Sequence, residues 1–259
     1  MIIYGITSTR TTADESVAPA ALPQPAAEGH WAYRGPAVEA AAHMISSGRS
    51  SAAAFDLGGV LLTGGVLTAA GEPAAFALLE NRFGIPAGDA HDLWHELLVP
   101  SELGELPESD VWLALSRLSH GAEPDALRAA VLEMASPVED SVAALTMLHE
   151  RNWRTALATN HLASWVEAWR NRFDWFDELD VIIFSADLGL RKPDGRFFAE
   201  VRAQLQAASP WFIDDRTENV RAAQLAGFSG VWVAEDGAWV VEPGLDGGRE
   251  AIRTPAVGD

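Results

Sequence analysis

The sequence predicts an α/β fold: a parallel sheet with helices on both faces, interrupted once by an all-helical insertion. Two observations predict it. Short apolar runs alternate with amphipathic helical patterns from about residue 137 onward, as strands and crossover helices of a parallel sheet do. Between about Thr68 and Ser136 the helical pattern persists with no strand candidate, and a structureless loop of that length is improbable.

In chain order, residues 1–50 carry an Ala/Pro-rich run (Ala18 to Ala27, APAALPQPAA) and hold no period. They are read as a disordered or loosely attached extension. Met44 lies just before the first good strand and is a candidate for the true start of the protein. Ala52 to Leu57 is the first buried strand, and it ends in a glycine pair. Further strands are expected at Thr155 to Thr159, Val181 to Phe184, Trp211 to Ile213 and Gly230 to Val233. Val142, Leu145 and Leu148 share a helix face, as do Phe198, Val201 and Leu205. Thr217 is placed to cap a helix that Gly227 ends. Within the insertion, Val111, Leu115 and Leu118 mark one helix, and Leu127, Val131 and Met134 another. The expected domains are a core over 51–67 and 137–240, a helical cap over 68–136, and a flexible tail over 241–259. Because the insertion leaves just after the first strand, it is placed over the edge where open α/β sheets bind ligands.

The bulk numbers exclude several functions. With no cysteine, there is no disulfide, no thiolate nucleophile and no cysteine-ligated zinc. A net charge of −19 repels nucleic acid. No apolar run approaches the ~18 residues that a membrane span requires, and the opening Met1-Ile2-Ile3-Tyr4 is too short for a secretory apolar region. A cytoplasmic protein without membrane or nucleic-acid partners is expected. The same acidity repels an anionic substrate unless a metal ion and a few fixed cations compensate locally.

Four motifs fall at the carboxyl ends of the first four strands: Phe55-Asp56-Leu57-Gly58-Gly59-Val60, Ala158-Thr159-Asn160, Leu190-Arg191-Lys192-Pro193, and Phe212-Ile213-Asp214-Asp215 with Asn219 following. Together they form a phosphate-handling set. A carboxylate at a strand end, followed by glycines, can reach phosphorus unobstructed. A hydroxyl and loop amides bind phosphoryl oxygens, and a lysine offsets charge that builds up in the transition state. A carboxylate pair holds Mg²⁺, which takes few carboxylates plus waters and substrate oxygens.

The set resembles the four motifs of the haloacid dehalogenase superfamily, in the subgroup with a helical cap after the first motif. "FDLGGVL", "LGLRKPDGRFF" and "FIDDRTENVRAAQLAGF" carry the resemblance, which runs from about Ala53 to Val233. It implies a Rossmann-like core and a Mg²⁺-dependent phosphatase acting on a small phosphorylated metabolite. Asp56 is then the nucleophile and a metal ligand. Thr159, Asn160 and Gly59 bind phosphate, and Lys192 bridges nucleophile and phosphoryl group. Asp214, Asp215 and the Gly58 carbonyl complete the metal site, and Asn219 supports its loop.

One position departs from the family pattern. The second aspartate of the usual first motif, which protonates the leaving group, is Gly58 here. Loss of a general acid–base costs ~10²–10⁴ in rate, so good leaving groups are favoured, as the resemblance to "DLGG"-type sugar phosphatases also implies. A 2-haloacid dehalogenase and a catalytically silent binding protein are the alternatives. His161 is expected to face solvent from a first helical turn. His91, Trp94 and His95 are expected to form a partly buried packing face, and Trp165, Trp169 and Trp175 to be core or cap contacts.

Overall fold

A computed structural model describes residues 35–64 and 71–241, together with the backbone of 252–253. Seven strands form one sheet. Ala52–Phe55 (β1) is flanked by Arg154–Thr159 (β4) and Trp211–Asp214 (β6), with Val181–Phe184 (β5) outside β4 and Ser229–Val233 (β7) outside β6. These five run parallel; Trp239–Val241 (β8) and Ile252–Arg253 (β9) add antiparallel strands at one edge. From β1 the chain reaches β4 and β5 on one side and later β6 and β7 on the other, so the order reverses at β1. The crevice at the carboxyl ends of β4, β1 and β6 is therefore the position for a ligand.

Residues of β1 and β4 alternate between the two faces. Ala52, Ala54, Ala156 and Ala158 belong to one buried cluster with Phe197, Phe198, Phe212 and Phe228. Small residues on the strands leave room for the aromatic rings, which meet edge to face with centroids 5.0–6.0 Å apart. Phe197 and Phe198 come from Gly195–Leu205 (α9), and Phe228 follows Thr217–Leu225 (α10). Thr217 opens that helix rather than capping it; Arg216 occupies the cap position, and its amide donates to Asp214.

The expected disordered extension is ordered over Pro36–Ser47 (α1), which packs against Glu139–Glu150 (α6). Ala37, Ala40, Ala41 and Met44 are fully buried, a helical stripe made mostly of alanine and so of low hydrophobic contrast. The Asp140 carboxylate accepts from the Ala37 and Val38 amides at 2.7 and 3.4 Å and so satisfies the open end of α1. Met44 lies inside this helix and does not precede the fold. The remainder of the expected extension, 1–34, lies outside the described residues. So does most of the expected tail, whose residues 252–253 form β9.

The insertion begins after Leu62–Thr63 (β2) and ends at Ser136–Pro137 (β3), and these two strands pair antiparallel. Between them lie Glu72–Phe83 (α2), Ala87–Glu102 (α3), Glu108–Leu118 (α4) and Pro124–Glu133 (α5), packed on one another. The bundle joins the core through three indoles. Trp94 of α3, Trp112 of α4 and Trp165 of Ala163–Arg170 (α7) lie with ring centroids 5.6–5.8 Å apart. Glu108 Oε1 accepts from Trp112 Nε1, Trp165 Nε1 and Arg128 Nε, and Oε2 accepts from Ser164. Trp94 is thus a packing residue, as are Trp165, Trp169 and Trp175, all buried. A 3-10 turn (Asp174–Glu178) precedes β5, and Ser185–Leu188 (α8) follows it. Among the described residues, no helix is long and apolar enough to cross a membrane.

Candidate active site

The backbone of Asp56 continues the β1 ladder, its amide donating to Ile213 at 2.9 Å, so its side chain stands at the sheet's carboxyl edge. Thr159 ends β4 and Asp214 ends β6 at the same edge. Lys192, almost wholly buried, enters from the loop before α9. Its Nζ lies 2.8 Å from Asp56 Oδ1 and 2.7 Å from Asp214 Oδ2. Burial alone pulls an ammonium's pKa down, but the two carboxylates outweigh it and hold Lys192 above its ordinary value. The lysine is charged.

Asp56, Asp214 and Asp215 each present one carboxylate oxygen within 4.8 Å of the others. Burial pushes Asp214 up to about 7 and Asp215 up to about 6; the charge of Asp56 adds to both, and Lys192 opposes it. Three carboxylates against one ammonium leave an excess of negative charge that a divalent cation relieves, and an all-oxygen donor set is the kind Mg²⁺ takes. Asp214 is the most constrained of the three. Its oxygens accept from Lys192, from the Arg216 amide at 2.9 Å, and from Asn219 Nδ2 at 3.0 and 3.1 Å.

Two of the residues expected to bind phosphate have other partners. The Asn160 side chain closes a reciprocal pair with the backbone of Lys192: Nδ2 donates to its carbonyl at 3.0 Å, and Oδ1 accepts from its amide at 2.8 Å. Its amide group orients the lysine through one of the two Nδ2 hydrogens, and Asn160 also lines the cavity. The Gly59 amide donates to Leu62 O at 2.8 Å inside a tight turn, so it is taken. Gly59 has φ +77°, and a Cβ there would fall 2.2 Å from Asp215 Oδ2. Its lack of a side chain is what lets the 215 carboxylate approach the first motif. Thr159 differs: its hydroxyl is buried, lines the cavity and has no protein partner.

The cavity above these groups has a volume of about 410 Å³. The core contributes Asp56, Gly58, Thr159, Lys192, Arg216 and Asn219, and the insertion contributes Glu72, His95, Leu98, Val99 and Glu102. His95, Leu98, Val99 and Glu102 follow the spacing of one helix face, so α3 lies along the cavity wall. His95 approaches Glu72 to 3.5 Å.

His161 is buried, contrary to the solvent-facing position expected for it. Helix α7 starts only at Ala163, and the imidazole packs on Trp165 and the edge of Trp169, with centroids 5.9 and 5.1 Å away. Burial lowers its pKa to about 4, Asp56 opposing, so it is neutral at ordinary pH. The sequence reading missed Glu102, only 3% exposed, and gave no role to Arg191 of the third motif, whose Nη2 lies 2.7 Å from Glu102 Oε2. No short motif contains both; only the packing of α3 over the 190–193 loop joins them.

Residues 51–227 match the family model of haloacid dehalogenase-like hydrolases. The chain belongs to this family. The hydrolase resembles a HAD family enzyme of Bacteroides thetaiotaomicron, solved as a magnesium complex (17% identity, TM-score 0.59, 71% of this chain and 93% of that one). It also resembles the L-2-haloacid dehalogenase of Xanthobacter autotrophicus with chloropropionic acid covalently bound (16% identity, TM-score 0.53, 71% and 77%). At these identities the likeness is one of fold. A sesquiterpene phosphatase of Aspergillus oryzae, astK, is 40% identical over 72 residues, 27% of this chain and 36% of that protein. The hydrolase therefore matches about a third of the length of this curated relative.

Proposed function

We propose that the hydrolase is a Mg²⁺-dependent phosphatase that acts on a small phosphorylated metabolite through an aspartyl-phosphate on Asp56. The observation that carries the reading is the lysine clamp beside the carboxylate trio: Lys192 Nζ touches both Asp56 and Asp214 while Asp215 stands within 4.8 Å. Asp56, Asp215, Asp214 and the Gly58 carbonyl would hold the ion. When bound, Mg²⁺ supplies positive charge to the phosphoryl oxygens and offsets the acidity of the site.

The chain's own groups do the rest. Asp56 Oδ1 accepts from the Leu57 amide at 2.7 Å as well as from Lys192, which leaves Oδ2 as the oxygen for in-line attack. Lys192 steadies charge on the transferring group. The Thr159 hydroxyl, buried and without a protein partner, donates to a phosphoryl oxygen. Asn160 and Asn219 keep Lys192 and Asp214 in place. The helical insertion 68–136 acts as the cap that selects substrate, since α3 supplies much of the cavity wall. The name of the Aspergillus relative supports a phosphorylated organic substrate.

Phosphate release from p-nitrophenyl phosphate tests the reading. Release should require Mg²⁺ and vanish in Asp56→Asn. Halide release from 2-chloropropionate in EDTA, with no phosphate release across a broad panel, would instead establish the dehalogenase alternative, which the excess of carboxylates disfavours.

A further inference from the structure

Gly58 leaves the leaving-group oxygen without a proton donor at the position where the family pattern has one. We propose that Glu102, delivered from the insertion by α3, is the general acid and base of this hydrolase. The inference rests on the phosphatase reading and adds the proton carrier that it lacks.

Five cavity residues outside the carboxylate trio carry an imidazole or a carboxyl group: Glu72, His95, Glu102, His161 and Glu218. His161 stays neutral down to about 4 and has no proton to give at ordinary pH. Glu218 is exposed, and Glu72 faces a half-exposed His95. Glu102 alone among them is a buried carboxyl. It ends α3, one turn beyond Leu98 and Val99 on the cavity-facing stripe.

Its position is coupled to the nucleophile through consecutive residues. Arg191 holds Glu102 at 2.7 Å, and Lys192 holds Asp56 at 2.8 Å. Two neighbouring residues of one short loop thus grip the two carboxyl groups that the reaction needs. Burial pushes Glu102 up to about 7 against the pull of Arg191 and, more weakly, of Arg216 and Lys192. The negative end of α3 acts in the same direction as burial. A group of this kind holds both protonation states near neutrality, as an acid that later serves as a base must.

In the first half-reaction Asp56 bonds to phosphorus. The bond from phosphorus to the leaving oxygen breaks with its electron pair on that oxygen, which takes the proton of Glu102. In the second, Glu102 carboxylate takes a proton from water as the water oxygen bonds to phosphorus. The Asp56–phosphorus link breaks, and alcohol, phosphate and protonated Glu102 remain.

The test uses the full chain with Mg²⁺ and a series of para-substituted phenyl phosphates of similar size, from p-nitrophenyl to p-methoxyphenyl. Glu102→Gln should lower kcat for the p-methoxyphenyl ester by ~10²-fold or more, the range for loss of a general acid. Its effect on the p-nitrophenyl ester, whose leaving group needs little protonation, should be several-fold smaller, with KM little changed. Adding Gly58→Asp to Glu102→Gln should restore the poor-leaving-group substrates. Should the Gln variant fail to fold by circular dichroism, Glu102→Asp, which withdraws the carboxyl by one methylene, should show the same steepened dependence. Equal losses across the series, or no rescue by Gly58→Asp, would overturn the assignment of Glu102 while leaving the phosphatase reading intact. Absence of release from every ester by the wild-type protein would overturn both.

Discussion

Substituting Gly59 by alanine separates two roles for the first motif. If the residue served phosphate through its amide, alanine would preserve the N–H and little would change. The structure gives it a different task. A Cβ at Gly59 lies 2.2 Å from Asp215 Oδ2 and 2.7 Å from its Cγ, so the carboxylate must retreat by about 1 Å to reach an ordinary contact. At φ +77° the alanine also occupies the left-handed region, at a cost of about 1–2 kcal/mol. For a chain of this size each kcal/mol lowers Tm by about 2–4 °C, so a fall of roughly 2–8 °C is expected. A displacement of that size in a group that organises the reaction costs about 10²-fold in rate. Because Asp215 is the group that moves, the defect should appear first as a higher Mg²⁺ requirement. The assay is p-nitrophenyl phosphate turnover over a Mg²⁺ titration, with differential scanning fluorimetry on the same samples. A Gly59→Ala protein with wild-type Tm, kcat and Mg²⁺ half-saturation would refute the packing argument.

Two further outcomes follow from buried polar groups. His161 has an ordinary pKa of 6.5 in the unfolded chain and about 4 in the folded one, so only the unfolded state takes up a proton between those values. Stability should be complete above pH 6.5 and decline toward pH 4 by about 3 kcal/mol; His161→Phe should flatten that part of a urea-denaturation profile, and an unchanged profile would count against the buried neutral imidazole. Glu108→Ala should strand the Trp112 and Trp165 indole N–H groups at the junction of insertion and core and remove the ion-pair partner of Arg128, which keeps its bond to Ser164 O, at a cost of about 2–5 kcal/mol. A Tm within 2 °C of wild type, by scanning calorimetry, would show the junction to be held by other contacts.

Much of the candidate site was legible because it is local. Each motif is a few consecutive residues following an apolar run, and a parallel sheet brings the carboxyl ends of its strands to one edge. Asp56, Thr159, Lys192 and Asp214 could therefore be placed together from order alone. Helix α1 was not legible, since its buried stripe is mostly alanine, which carries little hydrophobic contrast, and its amino end is capped by Asp140 from a distant helix. The hydrogen-bond partners of the Asn160 side chain and the close approach of Asp215 to Gly59 were likewise hidden. Motif position says that a residue is near the cavity, whereas hydrogen-bond partners decide which of its polar atoms are free.

By itself, then, the amino-acid order determined an α/β sheet, the strand ends that bear chemistry, the missing side chain at Gly58 and the family to which the chain belongs. These follow from periodicity and from residues close in sequence. Tertiary structure decided that His161 is buried and neutral, that Gly59 exists to admit Asp215, and that Glu102 meets Arg191 across 89 positions of chain. Such pairings depend on how the α3 helix packs over a loop of the core, and burial is a property of that packing, which no window of neighbouring residues contains.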